Sequence, residues 1–382
     1  MRIGIVCYPT FGGSGVVATE LGLALADKGH IVHFITYDRP VRLGNGQANI
    51  YYHEVRVSDY PLFDYQPYEL VLTSKLVDVV KHERLDLLHV HYAIPHASAA
   101  WMAQQILRSH GVRIPFITTL HGTDITLVGK DPSFEPVITF AMEQSDGVTA
   151  VSESLRRDTY AHFPVKRPIQ VVPNFIRMER YRGLQDGRIR ERFAPGGEKL
   201  LVHVSNFRPV KRVQDVLGMF LLLRKEMPVH LLMVGDGPDR PQMEMVCRNE
   251  RICDEVFFLG KMTEPEEVLA NADLFVLTSE TESFGLAALE AMACGVPVVS
   301  TSTGGTGEVV EHGVAGLLNA VGDVAAMAAN AKRILADAGS LAIFREGALR
   351  TAARFDLAVV LPQYEALYGE VVERMRSHGI HQ

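Results

Sequence analysis

The sequence predicts an α/β chain of two doubly wound domains, each a parallel sheet with helices on both faces, the two facing across a cleft. Three observations carry this expectation. Short apolar runs alternate with helical stretches, the rhythm stops and restarts once, and polar or glycine-rich turns recur where apolar runs end. A chain of 382 residues also exceeds one ordinary hydrophobic core.

The elements follow in order. Ile3 to Cys7 is the first apolar run; it meets Tyr8-Pro9-Thr10, the turn Gly12-Gly13-Ser14-Gly15 and a helix from Val16 to Lys28 that ends at Gly29. Strand-like runs follow at Ile31 to Thr36, Leu85 to His91, Phe116 to Leu120 and Gly147 to Val151, with helical stretches between them. The rhythm breaks near Pro173-Asn174-Phe175, and a charged stretch runs from Arg180 to Lys199. A second series starts at Leu200 to Val204 and continues with His230 to Val234, Val256 to Leu259, Leu274 to Leu277 and Val296 to Ser300. Leu357 to Met375 reads as a helix with Tyr364 and Tyr368 one turn apart. The expected domains are residues 1–172, residues 173–356 and a carboxyl-terminal segment, 357–382, that packs back on the first domain. Ligands of such sheets sit beyond the carboxyl ends of the strands, so the turns there are where chemistry is sought.

Composition excludes several classes. Hydrophobic content of 47% and charged content of 22% are ordinary for a globular protein, and a net charge of -7 argues against a nucleic-acid partner. The four cysteines make no disulfide framework; Cys7 and Cys294 lie in apolar runs, and Cys247 and Cys253 lack CxxC spacing. Met1-Arg2 leads directly into the first strand with no room for a signal peptide, and no apolar run reaches transmembrane length. The expected compartment is the cytoplasm, with no stable membrane insertion. His89 and His91 share one face of a strand and His96 follows, but no carboxylate or cysteine joins them at ligand spacing, so no metal is expected.

The chemistry concentrates in a few turns. From Glu282 to Pro297 a Phe-Gly turn enters a helix, with Glu282 before it and Glu290 about two turns inside it. The first amides of such a helix, with the positive end of its dipole, can hold a phosphate. Two solvated glutamates on a surface helix are the plainer alternative, and the remaining turns weigh against it. Ser205 to Arg212 ends the first strand of the second series and places Arg208, Lys211 and Arg212 where they can neutralise a diphosphate leaving group. Gly235-Asp236-Gly237, Gly260-Lys261 and Thr303 to Glu308 are further strand-end turns. In the first series, Gly12 to Gly15 suits an anion held by backbone amides, although it is not the GxGxxG pattern of dinucleotide binders. His121-Gly122-Thr123-Asp124 forms a polar quartet at a strand's end, and His121 there can meet a sugar hydroxyl.

Together these motifs resemble the retaining glycosyltransferases of the GT-B fold, in the large family that carries a two-glutamate motif. The likeness covers nearly the whole chain and implies two Rossmann-like domains, with an acceptor domain first and a nucleotide-sugar domain second. Within the family the chain most resembles the branch that joins N-acetylglucosamine to L-malate at the start of bacillithiol biosynthesis. Cys7 to Gly15, His33 to Thr36, His91 to His96, Thr118 to Asp124, Ser205 to Asp215 and Glu280 to Gly285 carry that likeness. Asn206 stands where many relatives have Arg, and Arg208 is expected to supply the missing charge.

The resemblance implies UDP-N-acetylglucosamine as donor, L-malate as acceptor and no cofactor. It implies catalytic roles for His121, Lys211 and Glu282. Donor contacts are expected from Gly15, Asn206, Arg208, Lys211, Gly235, Gly260, Lys261, Glu282, Phe284, Gly285, Leu286 and Glu290. Acceptor contacts are expected from Gly13, Ser14, Tyr92, Thr118 and Thr119. Transfer is expected on the front face of the sugar, metal-free, with Lys211 and helix amides stabilising the leaving group. A homodimer is compatible with the sequence. The alternatives are a related transferase acting on an inositol phosphate, a lipid or a polysaccharide, a UDP-sugar 2-epimerase, and a nucleotide-sugar-binding regulator.

Overall fold

The computed structural model describes residues 1–10, 12–44, 46–57, 66–127, 129 and 131–379. Phe11, in the first glycine-rich segment, and residues 380–382, at the end of the expected carboxyl-terminal segment, lie outside them. The chain divides into two compact units: Met1–Asn174 with Leu357–Gln382, and Phe175–Asp356.

The first unit is a seven-stranded sheet of β1 (Arg2–Val6), β2 (Ile31–Thr36), β3 (Ile50–Glu54), β4 (Leu87–His91), β5 (Phe116–Leu120), β6 (Gly147–Ala150) and β7 (Ile169–Val171). Their spatial order is β3-β2-β1-β4-β5-β6-β7, with every pair parallel. The second unit has six strands, β8 (Lys199–Val204), β9 (Val229–Val234), β10 (Val256–Gly260), β11 (Leu274–Leu277), β12 (Val298–Thr301) and β13 (Gly316–Asn319). They are ordered β10-β9-β8-β11-β12-β13, again all parallel. Each sheet is doubly wound, and its order reverses once, between β1 and β4 and between β8 and β11. Loops leaving the carboxyl ends of those strands diverge and open a crevice there.

The central strands are buried on both faces, as a parallel sheet covered by helices requires: Ile3, Ile5 and Val6 of β1 and all of β4 are inaccessible. Three strands lie beyond those expected, and each is at or next to an edge. β3 is half-exposed, β7 is three residues long, and β13 opens on Gly316, where a Cβ would lie 2.0 Å from the Val298 carbonyl oxygen. Edge strands need no continuous apolar run, so the sequence signal was weak. Two runs begin later than expected. Arg84 is left-handed and the Leu85 amide bonds to Val80, closing the helix Tyr68–Glu83 before β4 can start. Likewise the Val296 amide closes on Ala291, and β12 starts at Val298.

The helix Leu357–Gly379 belongs to the first unit, and its Tyr364 and Tyr368 are wholly buried. Tyr368 Oη lies 2.6 Å from His89 Nδ1 of β4. Among the described residues no helix is long and apolar enough to cross a membrane. Tyr368→Phe leaves the buried His89 nitrogen without a partner, which costs about 1–3 kcal/mol. Urea denaturation of the variant should show this loss; a change below about 0.5 kcal/mol would mean the bond contributes nothing net.

Candidate active site

In the second unit the loops after β8 and β11 converge at the reversal. Lys211 Nζ lies 2.6 Å from Glu282 Oε2, both side chains being mostly buried. Ser279 Oγ donates to the same carboxylate oxygen at 3.1 Å. Behind the pair, Thr278 Oγ1 donates to the carbonyls of Lys211 and Arg212, and the Glu280 amide to that of Val210. His203 on β8 donates from Nδ1 to the Val276 carbonyl and accepts from Ser205 Oγ at Nε2, tying the same strands. Burial holds its imidazole near pKa 4, so it is a neutral strut.

Glycines let the neighbouring loops approach. A Cβ on Gly235 would lie 1.8 Å from the Ser205 oxygen, and one on Gly237 2.0 Å from the Asn206 oxygen. The Gly235 amide in turn donates to Gly260 at 2.7 Å. The loop carrying Lys211 is therefore clamped between β9 and β11. Asn206, Arg208 and Lys261 are exposed, and Arg212 is turned to Asp215 at 2.6 Å.

Glu282 is followed by Phe284, buried edge-on against Phe355, and by Gly285 at φ +96, which turns the chain into the helix Leu286–Ala293. Its N-cap residue, Gly285, has no side chain to cap it, and the helix's own bonding leaves its first amides, Leu286 to Ala288, at the positive end of the dipole. Gly304, at φ +52, lies so close that a Cβ would sit 1.9 Å from the Glu282 oxygen, and the Gly305 amide donates to that oxygen at 2.8 Å. Glu290 is buried inside the helix and accepts from Tyr181 Oη at 3.2 Å. Tyr181 and Ser279 escaped the sequence reading: the first lies in a charged stretch with no motif, and the second sits just past a strand end with no motif of its own.

In the first unit the reversal is bridged as well. The helix Gly13–Asp27 begins inside the glycine turn, with the Gly15 amide on the Gly12 carbonyl and no room for a Cβ at Gly15 against the Tyr8 and Thr10 oxygens. Tyr92, just past β4, donates from its hydroxyl to Ser14 Oγ at 2.6 Å. Tyr92 has φ +87, an uncommon backbone state for a bulky residue and one that tends to mark functional sites. Asp124 fastens the loops after β4 and β5, accepting from the amides of Ala93 and Gly122 at 2.9 and 3.0 Å. Burial outweighs those bonds and pushes its carboxyl up to about 6. His121 Nε2 lies 2.8 Å from His91 Nδ1.

Thr118 and Thr119, expected around the acceptor, are corrected here. Both are fully buried; Thr118 Oγ1 bonds Ser145 Oγ, and Thr119 Oγ1 bonds His89 Nε2 and Thr149 Oγ1, each at 2.7 Å. Because helices cover both sheet faces, neither hydroxyl reaches the carboxyl-end surface. Gly13, Ser14 and Tyr92 do lie together there. Among the described residues, His33, His53 and Glu83 bring possible metal-ligating atoms within 4.8 Å of one another. The two imidazoles already share a 2.9 Å hydrogen bond, and Arg2 sits 3.9 Å from Glu83. A cavity of about 360 Å³ opens elsewhere in this unit, bordered by Arg108, Arg113, Arg167 and Arg374. Arg167 is engaged there by the Glu143 carbonyl and Arg374 by that of Asp146, and none of the strand-end loops lines it.

Comparison with known proteins follows the same division. Residues 11–180 match the family described as Glycosyltransferase Family 4, and residues 186–351 match Glycosyl transferases group 1. The chain is 47% identical to N-acetyl-alpha-D-glucosaminyl L-malate synthase of Bacillus anthracis, over 97% of each chain. It is 29% identical to D-inositol 3-phosphate glycosyltransferase of Thermobispora bispora, over 95% of this chain and 91% of that one. Sucrose-phosphate synthase of Thermosynechococcus elongatus shares the fold with a TM-score of 0.81 at 20% identity, covering 98% of this chain and 100% of that one. HepE of Anabaena, solved with UDP and glucose, does so at 0.79 and 20%, covering 97% and 99%. The fold is GT-B.

The buried histidines predict an acid-sensitive fold. Burial, with neighbouring imidazoles adding to it for some, lowers His33, His96 and His203 to about 4 and His89 to about 3, and drives His91 well down. Each folded value lies below the unfolded 6.5, so the unfolded chain binds more protons in acid, and stability falls as pH drops below 6.5. Asp124 works in the opposite sense but is outnumbered. Unfolding by urea at pH 8, 7, 6 and 5 should show a plateau above 7 and a fall of up to about 1.4 kcal/mol per histidine per unit below 6.5. Unchanged stability down to pH 5 would contradict this.

Proposed function

We propose that this chain, which belongs to the group 1 glycosyl transferases, moves N-acetylglucosamine from UDP-N-acetylglucosamine to the hydroxyl of L-malate with retention at the anomeric carbon. The observation that carries the reading is the Lys211–Glu282 pair at 2.6 Å, set at the strand reversal of the second unit beside an uncapped helix terminus. A nucleotide diphosphate needs a fixed cation and inward-facing amides, and a transferred sugar needs an oriented carboxylate. The choice of donor and acceptor follows the relative from Bacillus anthracis, whose likeness extends over 97% of both chains. With such metabolites as substrates, the enzyme works in the cytoplasm.

The chemistry asks little beyond positioning and charge. The bond from the anomeric carbon to the phosphate oxygen breaks as the malate oxygen bonds to the same face. UDP leaves, and a phosphate oxygen of the leaving group takes the malate hydroxyl proton. Lys211 and the amides of Phe284, Gly285 and Leu286 stabilise the charge that grows on the diphosphate. Glu282 holds hydroxyls of the sugar and keeps Lys211 aimed, while Glu290, steadied by Tyr181, takes the ribose hydroxyls. Arg208, exposed on the same loop, adds charge where Asn206 offers none, and the turns at Gly235 and Gly260-Lys261 border the nucleotide. In the first unit Gly13, Ser14 and Tyr92 hold the acceptor, with the amides of the glycine turn near its carboxylates. The likeness to D-inositol 3-phosphate glycosyltransferase makes an inositol phosphate the second acceptor to try.

UDP release from UDP-N-acetylglucosamine, measured in EDTA with and without L-malate, tests the reading directly. Strong stimulation by malate and an α-linked product are expected; stimulation by inositol 3-phosphate alone would transfer the assignment to that acceptor. Glu282→Ala should lower kcat at least ~100-fold, and Lys211→Ala should lower kcat more than it raises KM, since both groups act as the bond breaks. Near-normal turnover in either variant would remove that residue from the mechanism.

A further inference from the structure

His121 is backed by a second histidine that the proposed reaction does not itself use. His91, the last residue of β4, is wholly buried, and its Nδ1 lies 2.8 Å from His121 Nε2 with the rings stacked at 24°. A single proton sits between these nitrogens, and two assignments are open. If His121 donates from Nε2, His91 must carry its own proton on Nε2. That atom is buried and has no hydrogen-bond partner, so the result is an orphaned N–H. If His91 donates from Nδ1, its Nε2 is only a bare lone pair. Orphaned buried N–H groups are rare and cost more than under-used acceptors, so the second assignment is favoured. A doubly protonated His121 would donate from Nε2 and leave the same orphan, and burial keeps His91 neutral near pH 7.

The surroundings hold His91 in this role. His89 stacks on it with ring centres 4.5 Å apart. His89 is itself bonded at both nitrogens, to Tyr368 Oη and Thr119 Oγ1, and cannot rotate without breaking buried bonds. His96 Nδ1 donates to the His91 carbonyl, which leaves His96 Nε2 unprotonated as well. His121 Nδ1 has no hydrogen bond to a described residue and is not among the buried unpartnered atoms, so it faces open space at the carboxyl end of β5.

We propose that His91 is a positioning residue that caps His121 Nε2 from behind and holds His121 as a neutral Nδ1–H donor. On the reaction proposed above, His121 then meets an oxygen of the substrate as a hydrogen-bond donor and never serves as general base. The acceptor's proton must therefore leave by another route, which agrees with its transfer to the departing phosphate.

Nitrogen-15 spectra of imidazole-labelled wild-type protein read the tautomer without any assumption about substrate. His121 should show a protonated Nδ1 and an unprotonated Nε2; the reverse would overturn the proposal. Kinetics supply the second arm. His91→Leu removes the donor and should lower kcat for UDP release about 10–100-fold, the scale of a misplaced active-site group, with KM moving less. His91→Asn places an amide donor near the position of the lost Nδ1 and should recover most of that loss. Equal damage in both variants, with wild-type folding by circular dichroism, would overturn the positioning role. If no sugar nucleotide is turned over at all, the reaction is wrong while the spectra still decide the tautomer.

Discussion

Each sheet reverses its winding once, and at a reversal two loops leave neighbouring strands in opposite directions. The crevice that results is useful only if side chains hold its two lips at a fixed separation. In the second unit Lys211 and Glu282 do this at 2.6 Å, and in the first Tyr92 and Ser14 do so at 2.6 Å. Both bridges join residues far apart in the chain that the strand order brings together. The surrounding geometry serves them: Thr278, Ser279 and His203 brace the first, and Asp124 fastens the loops around the second.

Backbone proximity is the second constraint. Gly235, Gly237 and Gly304 stand where any side chain would strike the carbonyl oxygens of Ser205, Asn206 and Glu282. These contacts make the positions of Lys211 and Glu282 a property of stacked loops rather than of long flexible side chains. A cation and a carboxylate held in this way need little reorganisation when charge develops beside them.

The first unit accepts a cost for its arrangement. His89, His91 and His96 are buried at or beside the end of β4, and two of them have a ring nitrogen with no partner. An apolar strand end would be more stable. His89 and His91 instead stack with His121 in a column that reaches from Tyr368 on the carboxyl-terminal helix to the loop after β5. The helix Leu357–Gly379 thereby contributes to the set of the site as well as to the core of the unit.

Much of this was legible before any coordinates. The alternation of apolar runs and helices is a local pattern, so it determined the doubly wound fold, and strand ends followed from it; that is why the turns carrying Lys211, Glu282 and His121 could be singled out by position, while Glu290 came from its spacing to Glu282 and Tyr92 only from the family resemblance. The edge strands β3, β7 and β13 were not legible because each is short or broken by polar residues, whereas the fourth edge, β10, keeps the apolar run Val256 to Leu259. Nor was the direction of Thr118 and Thr119, whose hydroxyls turn inward because β5 is covered on both sides. Tertiary structure alone decided which residues meet: Lys211 with Glu282 across 71 positions, Tyr181 with Glu290 across 109, Tyr368 with His89 across 279. The sequence by itself determined what each residue can do, since chemistry resides in the side chain. Partnership was settled only by the strand order, because a parallel sheet joins segments through long crossovers and no local signal records which ends become neighbours.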